Sequence, residues 1–166
     1  WLVALYTHYV PYYGQVAFGV VGGPKKLGTK RFFAYATGVL LHARRRYTVA
    51  LTPVLEGQKP HEIVSILIGQ ILAKGLKIQG VVMDSGFYSG ETILRLQEKS
   101  LAYTIPLRRK GRGDNARNRI FEKRDKSVHW VEWTTERSRR RVRTRVVISK
   151  GAHRIWALAY GGWKGE

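Results

Sequence analysis

Cysteine is absent from this 166-residue chain, and acids are scarce, with 11 Asp and Glu against 30 Lys and Arg. The lack of cysteine excludes disulfides and thiolate metal sites and suits a reducing cytoplasm. No run approaches the roughly 20 apolar residues that a membrane-spanning helix requires, so no membrane partner is expected. No leader-like segment opens the chain. It begins at Trp1, within an apolar run, as expected of a piece of a longer protein. Acids are missing most completely at the front, where none precedes Glu56.

What is present is an ordinary globular core, 44% hydrophobic, under a net charge of +19 and a pI near 10.7. Such a charge repels itself and makes sense when a polyanion neutralises it. Residues 101–166 hold 18 basic and 6 acidic residues, a net +12, so the C-terminal part is the more electropositive. Nucleic acid is the expected partner.

The pattern along the chain is that of a single α/β domain. "WLVALYTHYV" reads as a strand broken by Pro11 and Gly14, and "VGGPKKLGTK" as a Gly/Pro/Lys loop. "RFFAYATGVLLH" and "YTVALTPVL" read as two more strands, joined by the basic turn Ala43 to Arg46. A helix follows, with Pro60 in its first turn and Ile63, Val64, Leu67, Ile68, Ile71 and Leu72 at helical spacing, stopped by Gly75. "KIQGVVMD" is a short buried strand; Ser89 caps a second helix carrying Ile93, Leu94 and Leu96; "AYTIPL" is the next strand. Beyond a basic loop, "SVHWVEWTT" and "RVRTRVVIS" alternate like an antiparallel pair, with "RIWALAY" as a third strand. The expected architecture is a mixed sheet of three antiparallel strands, then helix, strand, helix and strand, with a basic β-rich C-terminal segment.

Asp84 ends the apolar strand "GVVMD", and in open α/β sheets functional groups gather at such strand ends. A carboxylate there can hold Mg²⁺ or Mn²⁺ through oxygen, and equally it can cap the "SGFYS" loop; spacing alone leaves both roles open. "GGPKKLGTK" has the glycine separation of a phosphate loop, at Gly23 and Gly28. Thr29-Lys30 reverses the required order, however, and a strand follows where a helix should, so that role is excluded. The five histidines, His8, His42, His61, His129 and His153, include no His-x-His pair, so zinc is not expected. Candidate phosphate contacts are Lys25 and Lys26 in the first loop, Arg108, Arg109, Lys110 and Arg112 after "AYTIPL", and Arg139, Arg140 and Arg141 at a hairpin turn. Trp130, Trp133 and Trp156 could stack on unpaired bases, although burial in a small β core is the commoner fate of tryptophan.

"VVMDSGFYSGETILRLQEKSLAYTIPLRRKG" resembles the region around the second catalytic aspartate of the DDE transposases of bacterial and archaeal insertion sequences. "THYVPYYGQ", "KKLGTKRFFAYATGVLL" and "RRYTVALTPV" resemble the strands and connections that precede it, so the likeness covers most of residues 1–110. The resemblance implies a ribonuclease H-like core over residues 1–109. Residues 110–166 would be the basic β-rich insertion that some members place before the helix bearing their final glutamate. It implies DNA strand cleavage and transfer with Mg²⁺ or Mn²⁺, Asp84 as a catalytic metal ligand, DNA (element ends and target) as partner, a homo-oligomer on DNA, and a nucleoid-associated location in a prokaryotic cytoplasm.

Two positions depart from that pattern. Tyr6 stands where the first aspartate belongs, and one neutral phenolic oxygen is a poor substitute for a carboxylate bridging two cations. No helix of Tyr-x-x-Arg-x-x-x-Glu type follows Tyr160, and Glu166 lacks helical context, so the final glutamate is expected beyond residue 166 or not at all. The expectation is a catalytically incomplete transposase fragment that binds DNA. The competing readings are a nonenzymatic basic nucleic-acid-binding protein and an inert remnant.

Overall fold

The computed structural model describes residues 1–107, 119–122, 126–135, 138–150 and 155–163. Arg108, Arg109, Lys110, Arg112, His153 and Glu166, and the side chain of Trp156, lie outside the described residues. The architecture is mixed α/β, mostly strand with few helices, and the chain divides into two compact units, Trp1–Gln79 and Gly80–Glu166.

The first unit is built on one long strand. β3 (Thr29–His42) pairs antiparallel with β1 (Leu2–Tyr12) along one edge. Its other edge is shared by β2 (Val20–Lys26), opposite Arg31 to Phe33, and β4 (Arg45–Pro53), opposite Tyr35 to His42. Four strands therefore precede the first helix, not three. The sequence pattern missed β2 because Gly22, Gly23 and Pro24 mimic a loop; the strand forms on either side of them, with a register irregularity between Gly22 and Lys26. Pro11 does not end β1 but pairs with Phe32. A fixed φ near −65° suits extended backbone wherever the ring nitrogen faces away from the ladder.

Helix α1 (Pro60–Ala73) lies against β3 and β4. Pro60 opens it, the Glu62 carboxylate accepts from the Lys59 backbone N–H at 3.0 Å, and Gly75 adopts φ +72° just past its end. Ile63, Val64, Leu67, Ile68 and Ile71 are buried as the spacing predicts. Leu72 is 46% exposed, contrary to expectation, because it lies one position round the helix from Ile71 and off the buried stripe. The close approach of helix to sheet is centred on Gly38, where an added Cβ would lie 2.9 Å from Ile71 Cδ1 and 3.1 Å from Ala50 Cβ.

In the second unit β5 (Gly80–Met83) runs parallel to β6 (Ala102–Leu107), with helix α2 (Gly90–Glu98) in the connection. A parallel pair needs such a crossover. β6 pairs antiparallel with β9 (Ile155–Gly161), β9 with β8 (Arg141–Lys150), and β8 with β7 (Val128–Thr134). The basic C-terminal strands thus continue the sheet that β5 begins. Their core joins Leu107, Ile120, Phe121, Val146, Ile148, Ala157 and Ala159, with Tyr88 and Val131 packed against it. Among the described residues no helix is long and apolar enough to cross a membrane.

Candidate catalytic aspartate and nucleic-acid interface

Buried Val81 and Met83 carry β5 to the half-buried Asp84, where the strand ends. Asp84 has extended backbone and caps the single 3-10 turn Ser85–Phe87, its Oδ1 accepting from the Gly86 N–H at 2.7 Å. Phe87, 1% exposed, pins that turn to the core. Ser89 then caps α2 as its sequence predicts, Oγ accepting from the Thr92 N–H at 3.1 Å. The capping role is therefore realised, and it uses one lone pair of a group that offers about four. Among the described residues no group of three or more His, Asp or Glu could hold a metal ion. One carboxylate supplies too few oxygens to hold a divalent cation unaided, so the described residues do not complete a site for Mg²⁺ or Mn²⁺.

Tyr6 belongs to the first unit. It sits half-buried in β1 opposite Thr37. Two residues on, His8 stacks on Tyr35 with ring centroids 4.8 Å apart, and its Nε2 lies 3.2 Å from Thr37 Oγ1. The Tyr6 and His8 rings are 6.4 Å apart and tilted by 55°. This is a row of aromatic rings and a hydroxyl, with no carboxylate among the side chains that these contacts join. The nearest acid in sequence, Glu56, is engaged elsewhere, accepting from the Gly22 N–H at 2.9 Å.

The basic residues expected to meet phosphate divide into groups with different surroundings. Lys25 and Lys26 are exposed on the irregular arm of the β2–β3 hairpin. At the turn entering β8, Arg139 is exposed with φ +54°, whereas its neighbours are already paired: Arg140 with Glu98 of α2, and Arg141 with Glu132 of β7. The Glu98 carboxyl is held below the usual range chiefly by the hydrogen bond from Arg140, assisted by the charges of Arg140 and Arg95. It stays ionised to lower pH than an ordinary glutamate.

Alternation along β8 sends Val142, Thr144, Val146 and Ile148 inward and Arg141, Arg143 and Arg145 to the other face. Trp130 pairs across with Arg145 and so shares that face; it is 57% exposed, contrary to the expected burial. The Arg143 guanidinium lies 4.2 Å from the Trp130 ring centroid and that of Arg145 5.2 Å, while Arg145 also lies 5.5 Å from the Tyr160 ring. Such contacts hold the guanidiniums along an aromatic surface. Trp133, three positions along β7 and on the inner face, is half-buried beside Tyr88, with ring centroids 6.1 Å apart. Arg143 and Arg145 were not among the expected phosphate contacts; the period-2 pattern of "RVRTRVV" is the signal that could have found them, and only the pairing with β7 adds Trp130.

The model of the transposase DDE domain family matches residues 20–150, a stretch that contains Asp84 and begins after Tyr6. The chain belongs to that family. Among solved structures, this DDE domain is similar to the cryo-EM structure of the piggyBac transposase synaptic complex with hairpin DNA. The match covers 99% of this chain, with a TM-score of 0.63 and 11% identity, a likeness of fold. The DDE domain spans 34% of that solved chain. No curated protein matches it.

Proposed function

We propose that this chain is the ribonuclease H-like catalytic-domain portion of an insertion-sequence transposase, with residues 1–109 as core and 110–166 as a basic insertion of the same domain. It binds DNA and is catalytically incomplete as it stands. The observation that carries this reading is Asp84: a carboxylate at the end of a buried parallel strand, inside the segment that matches the DDE family. In an intact enzyme of this class Mg²⁺ or Mn²⁺ supplies an activated nucleophile and steadies the leaving oxygen. Here Asp84 is one ligand without its companions, and the hydroxyl of Tyr6 offers no charge to neutralise a cation. DNA, as element ends and target, is the partner that a net charge of +19 favours. The solved neighbour is itself a synaptic complex with hairpin DNA, which supports DNA as the partner; a homo-oligomer on DNA belongs to the same reading. The place of action on this reading is the nucleoid of a prokaryotic cytoplasm.

The test is nicking of supercoiled plasmid in Mn²⁺ by the chain, its Asp84→Asn variant and its Tyr6→Asp variant. No nicking is expected from the first two; nicking gained by Tyr6→Asp would show that the first aspartate alone was missing, and silence from all three that the final glutamate is missing as well. Nicking by the parent chain that survives Asp84→Asn would sink the assignment of Asp84. A second reading, a nonenzymatic nucleic-acid-binding domain, is favoured by the exposed Trp130 among arginines. It predicts DNA binding in all three proteins and nicking in none.

A further inference from the structure

The end of α2 holds a cluster that the catalytic reading does not use. Glu98, the last residue of α2, takes Arg95 Nη1 on Oε2 at 3.4 Å and Arg140 Nη1 on Oε1. Two guanidiniums from different elements thus converge on the two oxygens of one carboxylate. Nearby bonds fix the elements that carry them. The Glu91 carboxylate accepts from the Ser138 N–H at 3.2 Å, and Gln97 Nε2 donates to the Arg143 carbonyl at 2.8 Å. The Arg140 N–H donates to Thr135 Oγ1 at 3.2 Å, and the Thr135 N–H to the Arg140 carbonyl at 2.9 Å. The positions of the two arginines therefore do not rest on Glu98 alone.

The three charged side chains are accessible: Arg95 is 54% exposed, Arg140 50% and Glu98 36%. Ion pairs this exposed are weak and readily exchanged for another anion. A phosphodiester presents two non-bridging oxygens with the same negative charge as a carboxylate and accepts charge-assisted hydrogen bonds from guanidinium. Arg139, exposed beside Arg140, extends the same edge.

We infer that Arg95 and Arg140 form a phosphate-binding site for the nucleic-acid backbone, occupied in the free protein by the Glu98 carboxylate, which a DNA phosphate displaces. This rests on the reading of the chain as a DNA-binding transposase domain and adds to it a specific anion site with a built-in competitor. Glu98 sets how many phosphates the domain engages, since Arg140 cannot serve both anions fully. It also holds the β7–β8 turn ready while no DNA is bound.

The experiment is fluorescence anisotropy of a short labelled duplex against the full chain over a series of NaCl concentrations. The proteins compared are the parent, Glu98→Gln, Arg140→Gln and the double variant. Freeing the site should tighten binding severalfold at low salt and steepen the slope of log K against log salt by about 0.9, one phosphate's worth. Arg140→Gln should abolish that gain in the double variant. Three outcomes overturn the inference: no gain, a gain with unchanged slope, or a gain that persists without Arg140, which would be only a change in overall charge. A parent chain that fails to bind duplex would overturn the DNA-binding reading as well. If circular dichroism shows that Glu98→Gln does not fold, Glu98→Asp carries the test. It keeps the charge on a shorter stem, so a steeper slope than the parent's is expected and an equal slope overturns the site.

Discussion

At the scale of single residues, the second unit depends on a few side chains that fill space no substitute can share. Trp163 closes over the start of β5: its Nε1 donates to the Tyr103 carbonyl at 3.0 Å, and its ring would lie 2.5 Å from a Cβ added at Gly80. Tyr103 in turn is 1% exposed, and its hydroxyl lies 2.8 Å from Thr144 Oγ1 across the sheet. Gly80→Ala must push the indole off this stack, and overpacking of this kind costs about 1–3 kcal/mol. Urea unfolding followed by tryptophan fluorescence should show the unfolding free energy fall by that amount, read as a lower midpoint at unchanged slope. An unchanged midpoint would mean that Trp163 moves freely. Asp84 is the other residue whose placement matters, since the hydrogen bond to Gly86 aims its carboxylate while leaving it half-exposed.

Among the elements, the hairpin joining β3 and β4 is held at a cost. His42 pairs with Arg45, leaving a two-residue loop in which Ala43 has φ +45° and Arg44 φ +65°. A left-handed two-residue loop matches the twist of the strands, but non-glycine residues pay about 1–2 kcal/mol each to adopt it. Arg44→Gly should therefore raise the thermal midpoint by a few degrees, even after the added freedom of the unfolded chain is counted. A lowered midpoint would mean that the Arg44 side chain contributes contacts outweighing the strain. The basic run Ala43 to Arg46 announced a turn in the sequence, but not that Arg45 and Arg46 already belong to β4. Helices were more legible than β2. Caps and a 3.6-residue period are local signals, whereas β2 exists because β3 offers it an edge.

For the whole molecule, the governing quantity is a net charge of +19, which should make DNA binding strongly salt-dependent. Superimposed on it is the face bearing Trp130, Arg143, Arg145 and Tyr160, which on the proposed reading offers an aromatic ring to an unpaired base. Trp130→Ala should weaken binding of a labelled single strand by about 1–3 kcal/mol while leaving the salt slope close to the parent's, because stacking releases no counterions. An equal loss for single strand and duplex, with a shallower slope, would assign the effect to displaced arginines instead.

The sequence by itself determined the local grammar of this protein. It showed the acid at the end of a buried strand, the capped helix after it, the alternation of β8 and the excess of positive charge. These are properties of near neighbours or of the chain's sum, and periods of 2 and 3.6 residues express them directly. Only the tertiary structure decided which charges are available. Arg140 is tied to Glu98, 42 positions away, Arg141 is tied to Glu132, and Trp130 is turned outward beside Arg143. Those pairings follow from strand register and chain reversal, which bring together residues distant in sequence. No local pattern states which of several arginines will meet a carboxylate first.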